Sequence, residues 1–207
     1  METLIEGYRR FRTEVWPAER ARYEALAKFG QRPETLVVAC SDSRVDPQTV
    51  FGAVPGELFV VRNVAGLVPP YEPDARYHGT SAALEFGVRV LGVARIVVLG
   101  HAQCGGVQAL VEGTPEQARD FVEPWVEMAA PALRRRSGRP LACDDPGRGG
   151  LDECEAAVVR LSIANLMTFP WIRDAVEAGR LAVHGARFDI HTGVLAMLEG
   201  DRFAPVT

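Results

Sequence analysis

The stretch LVVACSDSRVDP, residues 36–47, begins as an apolar run and ends in a thiol, a carboxylate and a guanidinium at alternate positions. A short apolar run rich in valine is typical of a strand buried in a parallel sheet. A second stretch, IVVLGHAQCGG, residues 96–106, has the same plan, with His101 and Cys104 after the apolar run. The carboxyl ends of parallel strands meet at one edge of a sheet, where ligand sites form, so the two stretches predict one shared site.

Short apolar runs alternate with helix-like segments along the rest of the chain, which is typical of a parallel sheet joined by right-handed crossovers. We predict an α/β fold with a central, mostly parallel β-sheet, an antiparallel edge strand and flanking helices. A helix from Ser81 to Leu91 is expected to be capped by Thr80, and a further helix is expected at the C-terminus. The expected strands are residues 35–40, 58–61, 95–99, 181–184 and 187–190.

The N-terminal segment is expected to be a helical arm, residues 1–30, within a single domain that spans residues 1–207. Apolar side chains at helical spacing carry this expectation. They are Leu4, Tyr8, Phe11 and Val15. Pro17 is expected to end the first helix, and a second helical stretch follows to about Lys28.

Composition and charge exclude several classes of partner. The net charge is −4 and no basic stripe is present, so no nucleic-acid partner is expected. No apolar run approaches the roughly 18 residues of a membrane span, and the first residues lack the apolar core of a signal peptide, which predicts a cytoplasmic protein without a membrane partner. Cys143 and Cys154 have no metal-ligand partner near them in the sequence and are expected to be bystanders.

Four side chains from the two stretches suit a zinc ion. Cys40 and Asp42 point the same way if the strand stays extended, and His101 and Cys104 lie on one side of a helical turn. Zinc binds cysteine sulfur, histidine nitrogen and carboxylate oxygen in a tetrahedral arrangement. Arg44 can instead hold Asp42 through two hydrogen bonds, which leaves one open position on the metal, as in catalytic zinc sites. The alternative is a closed structural site with Asp42 as fourth ligand.

The sequence as a whole resembles the β-class carbonic anhydrases. The resemblance rests on CSDSR (40–44) and HAQC (101–104), and it extends through PGELFVVRNVAG (55–66) and GTSAALEFGVRVLGV (79–93) into the C-terminal half. It implies a β-carbonic anhydrase-like fold. It also implies reversible hydration of carbon dioxide to bicarbonate and a proton through a zinc-bound hydroxide.

The resemblance implies a role for each residue of the two motifs. Cys40, His101 and Cys104 would hold one Zn²⁺ per chain, while Asp42 and Arg44 match the catalytic dyad of the family. Asp42 would become a fourth metal ligand only in a closed state of the site.

The resemblance further implies a substrate pocket and self-association. Gln31, Phe59, Val64 and Phe86 match substrate-pocket positions of plant-type members, although those members carry a tyrosine where this chain has Phe86. Family members are dimers or larger oligomers with the active site at the dimer interface. A dimer or tetramer is therefore expected, with Gln31 serving the metal of the partner subunit.

Two alternatives share the same ligand set. Enzymes of this fold that hydrolyse carbonyl sulfide or carbon disulfide differ in the pocket and its access, not in ligand spacing. A non-catalytic, zinc-stabilised interaction protein is the other alternative. The intact Asp42–Arg44 pair argues against it, because a purely structural metal site needs no arginine to keep the carboxylate away from the metal.

Overall fold

The computed structural model describes residues 1–133, 143 and 150–207 of the chain. Its strands are β1 (Thr35–Cys40), β2 (Leu58–Asn63), β3 (Arg95–His101), β4 (Ala182–Phe188), β5 (Leu195–Glu199) and β6 (Arg202–Pro205). They form one six-stranded sheet in the order β2-β1-β3-β4-β5-β6. The pairs among β1 to β4 are parallel, and β5 and β6 extend the sheet in antiparallel fashion. The predicted α/β fold with a mostly parallel sheet is confirmed.

Helices flank this sheet. They are α1 (Glu2–Arg10), α2 (Trp16–Phe29), α3 (Pro47–Phe51), α4 (Gly79–Glu85), α5 (Gly105–Glu112), α6 (Val122–Glu127), α7 (Gly150–Leu166) and α8 (Pro170–Glu177). Among the described residues, none of the helices has the length and apolar character that crossing a membrane requires.

The side chains of β1 and β3 alternate between two buried apolar layers. The layer that includes residues of α7 and α8 contains Leu36, Val38, Ile96, Val98, Val159, Leu166 and Ile172. The layer on the opposite face contains Val37, Ala39, Val97, Leu99 and Ala186. Because both faces of these strands are covered, their sequences are continuous apolar runs and do not alternate with polar residues.

The sheet has a switch point between β1 and β3. The chain places β2 on one side of β1 and β3 on the other, so the connections that leave β1 and β3 run in opposite directions. A crevice opens at the carboxyl ends of the strands at such a point. Cys40 is the last residue of β1 and His101 is the last residue of β3, so both lie at the crevice.

The N-terminal arm is helical from Glu2 to Phe29, and the prediction that Pro17 ends the first helix is wrong. A π-helical turn, Phe11–Val15, joins α1 to α2, and Pro17 lies in the first turn of α2. Proline is tolerated there because it lacks only an N–H that the helix start would leave unpaired, and the wider π turn accommodates the local change. No residue of α1 or α2 is buried by the rest of the chain.

The expected C-terminal helix is also wrong, because the chain ends in the β5–β6 hairpin. A short apolar run such as Leu195–Glu199 is compatible with helix or strand. The turn at Gly200, with φ +60°, decides in favour of a hairpin. The two strand-like runs expected at 181–184 and 187–190 are one strand, β4.

The helix expected at 81–91 begins earlier and changes character. It starts at Gly79, becomes π-helical over Phe86–Leu91, and ends at Gly92 in the left-handed conformation. Thr80 does not cap it. The buried Thr80 hydroxyl instead accepts a hydrogen bond from the Asn63 side chain at 3.1 Å.

Gly66 and Gly52 form a matched pair for testing the packing at the end of β1. Both have positive φ, +61° and +60°. A Cβ at Gly66 would lie 3.1 Å from the Cys40 nitrogen and 3.2 Å from the Ala39 carbonyl carbon, whereas a Cβ at Gly52 would meet nothing within 4 Å. We expect Gly52→Ala to lower the free energy of unfolding by about 1 kcal/mol, and Gly66→Ala to lower it by more than about 2 kcal/mol because backbone must also move. Urea denaturation measures both, and equal losses would contradict the packing argument.

Candidate metal centre

Two strand ends and one helix start bring together three candidate metal ligands, Cys40, His101 and Cys104, which we call the ligand group. Cys40 ends β1, His101 ends the neighbouring strand β3, and Cys104 directly precedes α5. The ligand atoms of these three residues all lie within 4.8 Å of one another. The two sulfur atoms are 3.9 Å apart. The structure therefore brings three of the four predicted side chains into one group.

The chemistry of the three side chains fits a metal ion. His101 is 1% exposed, and its Nδ1 contacts the Ala102 carbonyl oxygen at 2.9 Å. Among the buried side-chain nitrogen and oxygen atoms of the described residues, Nε2 of His101 is the one without a hydrogen-bond partner. A buried polar atom without a partner costs about 1–3 kcal/mol, and a metal would supply the missing contact. Donation from Nδ1 to a backbone carbonyl is the usual arrangement for a metal-binding histidine.

The two sulfur atoms share one negative charge readily. The hydrogen bond with Cys104 lowers the pKa of the Cys40 thiol, against the effect of burial. The same hydrogen bond and burial raise the pKa of the Cys104 thiol. Cys104 also stands at the N-terminus of α5, where the helix dipole favours a thiolate.

Asp42 is held beside this group by Arg44. The guanidinium Nε donates to Asp42 Oδ1 at 2.9 Å and Nη2 donates to Oδ2 at 2.7 Å, while the backbone N–H of Arg44 also donates to Oδ1. These hydrogen bonds hold the pKa of the Asp42 carboxyl well below its usual range. Asp42 Oδ2 lies 3.9 Å from Nε2 of His101, so the carboxylate faces the ligand group while both of its oxygens are bonded to Arg44.

Arg62 holds the loop that carries Cys40 and Asp42. Its guanidinium donates to the carbonyl oxygens of Cys40 at 2.9 Å, Asp42 at 2.7 Å and Val45 at 2.9 Å. A planar group with five N–H donors suits this task. The loop after β1 is therefore fixed independently of any metal.

Glu155 on α7 is a residue of the site that the sequence analysis missed. Its side chain is 1% exposed. Oε1 accepts a hydrogen bond from the backbone N–H of Cys104 at 3.0 Å, although the two residues are 51 positions apart in the sequence. Burial raises the pKa of this carboxyl, opposed by hydrogen bonds from Arg187 and Cys104. The available signal was an acid within the buried stripe of a helix, since Val158, Val159, Ser162 and Leu166 follow Glu155 at helical spacing.

The predicted pocket residues fall into two places. Val64 lies near the candidate metal ligands. A Cβ at Gly106, two residues after Cys104, would come within 2.9 Å of its Cγ1. Gln31 precedes β1, so the length of that strand, about 17 Å, lies between its start and Cys40. Phe59 and Phe86 contact each other, with ring centroids 5.8 Å apart, and Phe59 pairs with Leu36 near the start of β1.

Cys143 and Cys154 lie outside the ligand group, and the structure joins them in a disulfide with Cα atoms 5.8 Å apart. The two cysteines were expected to be bystanders, and this link was not predicted. The 11 residues that separate them in the sequence contain no signal for pairing.

Comparisons with known proteins agree with this architecture. The sequence profile of the carbonic anhydrase family matches residues 35–195. Beta carbonic anhydrase 3 of Arabidopsis thaliana is 35% identical over 206 residues, which cover 97% of this chain and 78% of the relative. The solved structure of the β-carbonic anhydrase CcaA is similar with a TM-score of 0.87 at 30% identity, covering 100% of this chain and 92% of that one. A structure from a study of two tetrameric β-carbonic anhydrases of Sordaria macrospora has a TM-score of 0.73 at 28% identity, with 100% and 95% covered.

Loss of His101 should remove the metal without unfolding the chain. We expect His101→Ala to carry at most about a tenth of the metal bound by the wild type, because one of three ligands is missing. The control is His78→Ala, which removes a partly exposed histidine paired with Asp74 at 2.6 Å. Metal per chain is measured by plasma mass spectrometry after gel filtration. Equal metal content in the wild type and His101→Ala would show that the ligand group is wrong.

Proposed function

Because the chain belongs to the β-class carbonic anhydrases, we propose that it catalyses the reversible hydration of carbon dioxide to bicarbonate and a proton. The observation that carries the proposal is the cluster of Cys40, His101 and Cys104 with an Arg44-held carboxylate facing it. A purely structural site would use the nearby carboxylate as a fourth ligand. Here both carboxylate oxygens are engaged by arginine, which supports a fourth position left for a reactant.

We propose that the resident metal is zinc, one per chain. Two sulfur ligands and one imidazole match its preference. Cys40, His101 and Cys104 would hold it, and when bound it lowers the pKa of a water molecule enough to supply the nucleophile at neutral pH.

Asp42 orients that nucleophile in the proposed reaction. Its low pKa keeps the carboxyl ionised, so it acts only as a hydrogen-bond acceptor. Arg44 fixes both oxygens and prevents the side chain from rotating towards the ligand group. Asp42 would serve as a fourth ligand only in a closed state in which this pair separates.

We further propose that the working enzyme is a dimer or tetramer with each site completed by the partner subunit. Gln31, Phe59 and Phe86 lie towards the start of β1, away from the ligands at its end. Phe86 is 43% exposed, and in the N-terminal arm Leu4 is 72% and Tyr8 61% exposed. In a dimer these apolar surfaces would be covered. The partner's aromatic rings would form the apolar side of a pocket suited to carbon dioxide, and the partner's Gln31 would supply a hydrogen bond to the substrate.

The activity itself is tested by stopped-flow measurement of carbon dioxide hydration with a pH indicator. We expect fast hydration by the zinc-loaded protein and a loss of about 100-fold or more in kcat/KM for Cys104→Ala, because a metal ligand is removed.

A zinc-loaded wild type that is inactive between pH 7 and 9 would contradict the proposal. The same samples would then be assayed with carbonyl sulfide and carbon disulfide, which distinguishes a hydrolase of the same fold from a non-catalytic zinc protein.

The shared site is tested by mixing two defective chains. Gln31→Ala is expected to lower kcat/KM about 10-fold or more through loss of one hydrogen bond to substrate, and His101→Ala to abolish activity. A mixed dimer of these chains, isolated with two affinity tags, would contain one intact site if Gln31 serves the partner's metal. We expect the mixed dimer to be more active than either parent. If Gln31 acts within its own chain, the mixed dimer will not exceed the Gln31→Ala parent.

A further inference from the structure

The peptide bond between Gln103 and Cys104 is held at both of its polar atoms. Its carbonyl oxygen accepts a hydrogen bond from Nη2 of Arg44 at 3.0 Å. Its N–H donates to Oε1 of Glu155 at 3.0 Å. The peptide thus links the arginine that holds Asp42 to a buried acid on α7, and Cys104 is one of the metal-ligand candidates.

This peptide follows a strained residue. Gln103 has φ +55°, a left-handed conformation that non-glycine residues adopt only when their surroundings enforce it. The N–H of Cys104 also has no partner within a helix, because Cys104 is the residue that precedes α5. Without Glu155 this buried N–H would lose its acceptor and the strained turn would be free to relax.

Glu155 is itself held by a second strand of the sheet. Its Oε2 accepts from Arg187 Nη2 at 2.8 Å and from Nε at 3.2 Å, and Arg187 also contacts the carboxylate of Asp152. Arg187 lies on β4 directly beside Gly100 of β3. The Glu155 carboxylate therefore connects α7 with both β4, through Arg187, and the loop that follows β3, through Cys104.

A buried ion pair contributes little to stability compared with apolar side chains of the same size, so its burial calls for another explanation. What the pair does provide is a fixed direction for one N–H. A group that orients a metal ligand from outside the ligand set typically changes metal affinity 10- to 100-fold when it is removed.

We infer that Glu155, oriented by Arg187, is a positioning residue that fixes the Gln103–Cys104 peptide. It aims the Cys104 sulfur into the ligand group and, through the Gln103 carbonyl, keeps Arg44 in place on Asp42. The inference rests on the proposed function only for the consequence in catalysis. The effect on the metal ligands holds whichever reaction the site performs.

The test measures the metal directly. Zn²⁺ affinity is determined by competition with a chromophoric chelator, and the Co²⁺-loaded protein is examined for thiolate-to-cobalt charge-transfer and ligand-field bands. Glu155→Ala should weaken Zn²⁺ binding about 10- to 100-fold and reduce the charge-transfer intensity per cobalt. Glu155→Gln should lie between the wild type and Glu155→Ala, because one amide oxygen must serve two donors, Cys104 N–H and Arg187.

Ser162→Ala is the matched control on the same helix. Ser162 is fully buried, and its hydroxyl also accepts a backbone N–H, that of Val68, at 3.2 Å. Both Ser162→Ala and Glu155→Ala should lose folding stability, because each removes the acceptor of a backbone N–H. The cobalt spectrum and the Zn²⁺ affinity should change only in Glu155→Ala.

Wild-type affinity and an unchanged cobalt spectrum in Glu155→Ala would overturn the inference, and so would an equal change in Ser162→Ala. If Glu155→Ala does not fold, Glu155→Gln decides, and a wild-type spectrum and affinity in that variant would overturn the inference. A wild type that binds metal but does not hydrate carbon dioxide would contradict the proposed function, while the metal measurements would still decide the role of Glu155.

Discussion

Parallel pairing of β1 with β3 places the carboxyl ends of two buried strands side by side, and the candidate metal centre depends on that contact. The strand order changes direction at this pair, so the loops that follow the two strands leave a crevice between them. Cys40 and His101 meet there although about sixty residues separate them in the chain. Both strands are covered on both faces, so apolar burial stabilises the pairing and positions these two ligands before a metal binds.

Arginine side chains then make the loops at this edge rigid. Arg62 gathers the carbonyl oxygens of the loop after β1, Arg44 holds Asp42, and Arg187 orients Glu155. Each guanidinium bonds two or more oxygen atoms at once, which a lysine could not do with the same planar geometry. The loops after β1 and β3 are connected to each other through the Arg44 contact with the Gln103 carbonyl. A site built this way is arranged by the protein before any ligand binds.

Much of this architecture was predictable, and the errors have physical causes. The central strands were recognisable because burial on both faces makes them continuous apolar runs. Leu195–Glu199 has no period that distinguishes a helix from a strand, and the turn at Gly200 together with pairing to β4 makes this segment a strand. Pro17 predicts a helix end, but a π-helical turn precedes it, and such a turn has no recognisable residue pattern.

The chemistry of the site can be read from two short stretches of sequence, which show the thiols, imidazole and carboxylate that end or follow β1 and β3 and that such a set suits a metal. Those features are local, since residue type and strand-end position are both written in short stretches. Two facts required the three-dimensional structure: Glu155 accepts the Cys104 N–H, and Phe59 pairs with Leu36 near the start of β1. These facts depend on how distant segments pack, and no local pattern of residues encodes the direction in which a helix on one face of the sheet presents a single carboxylate.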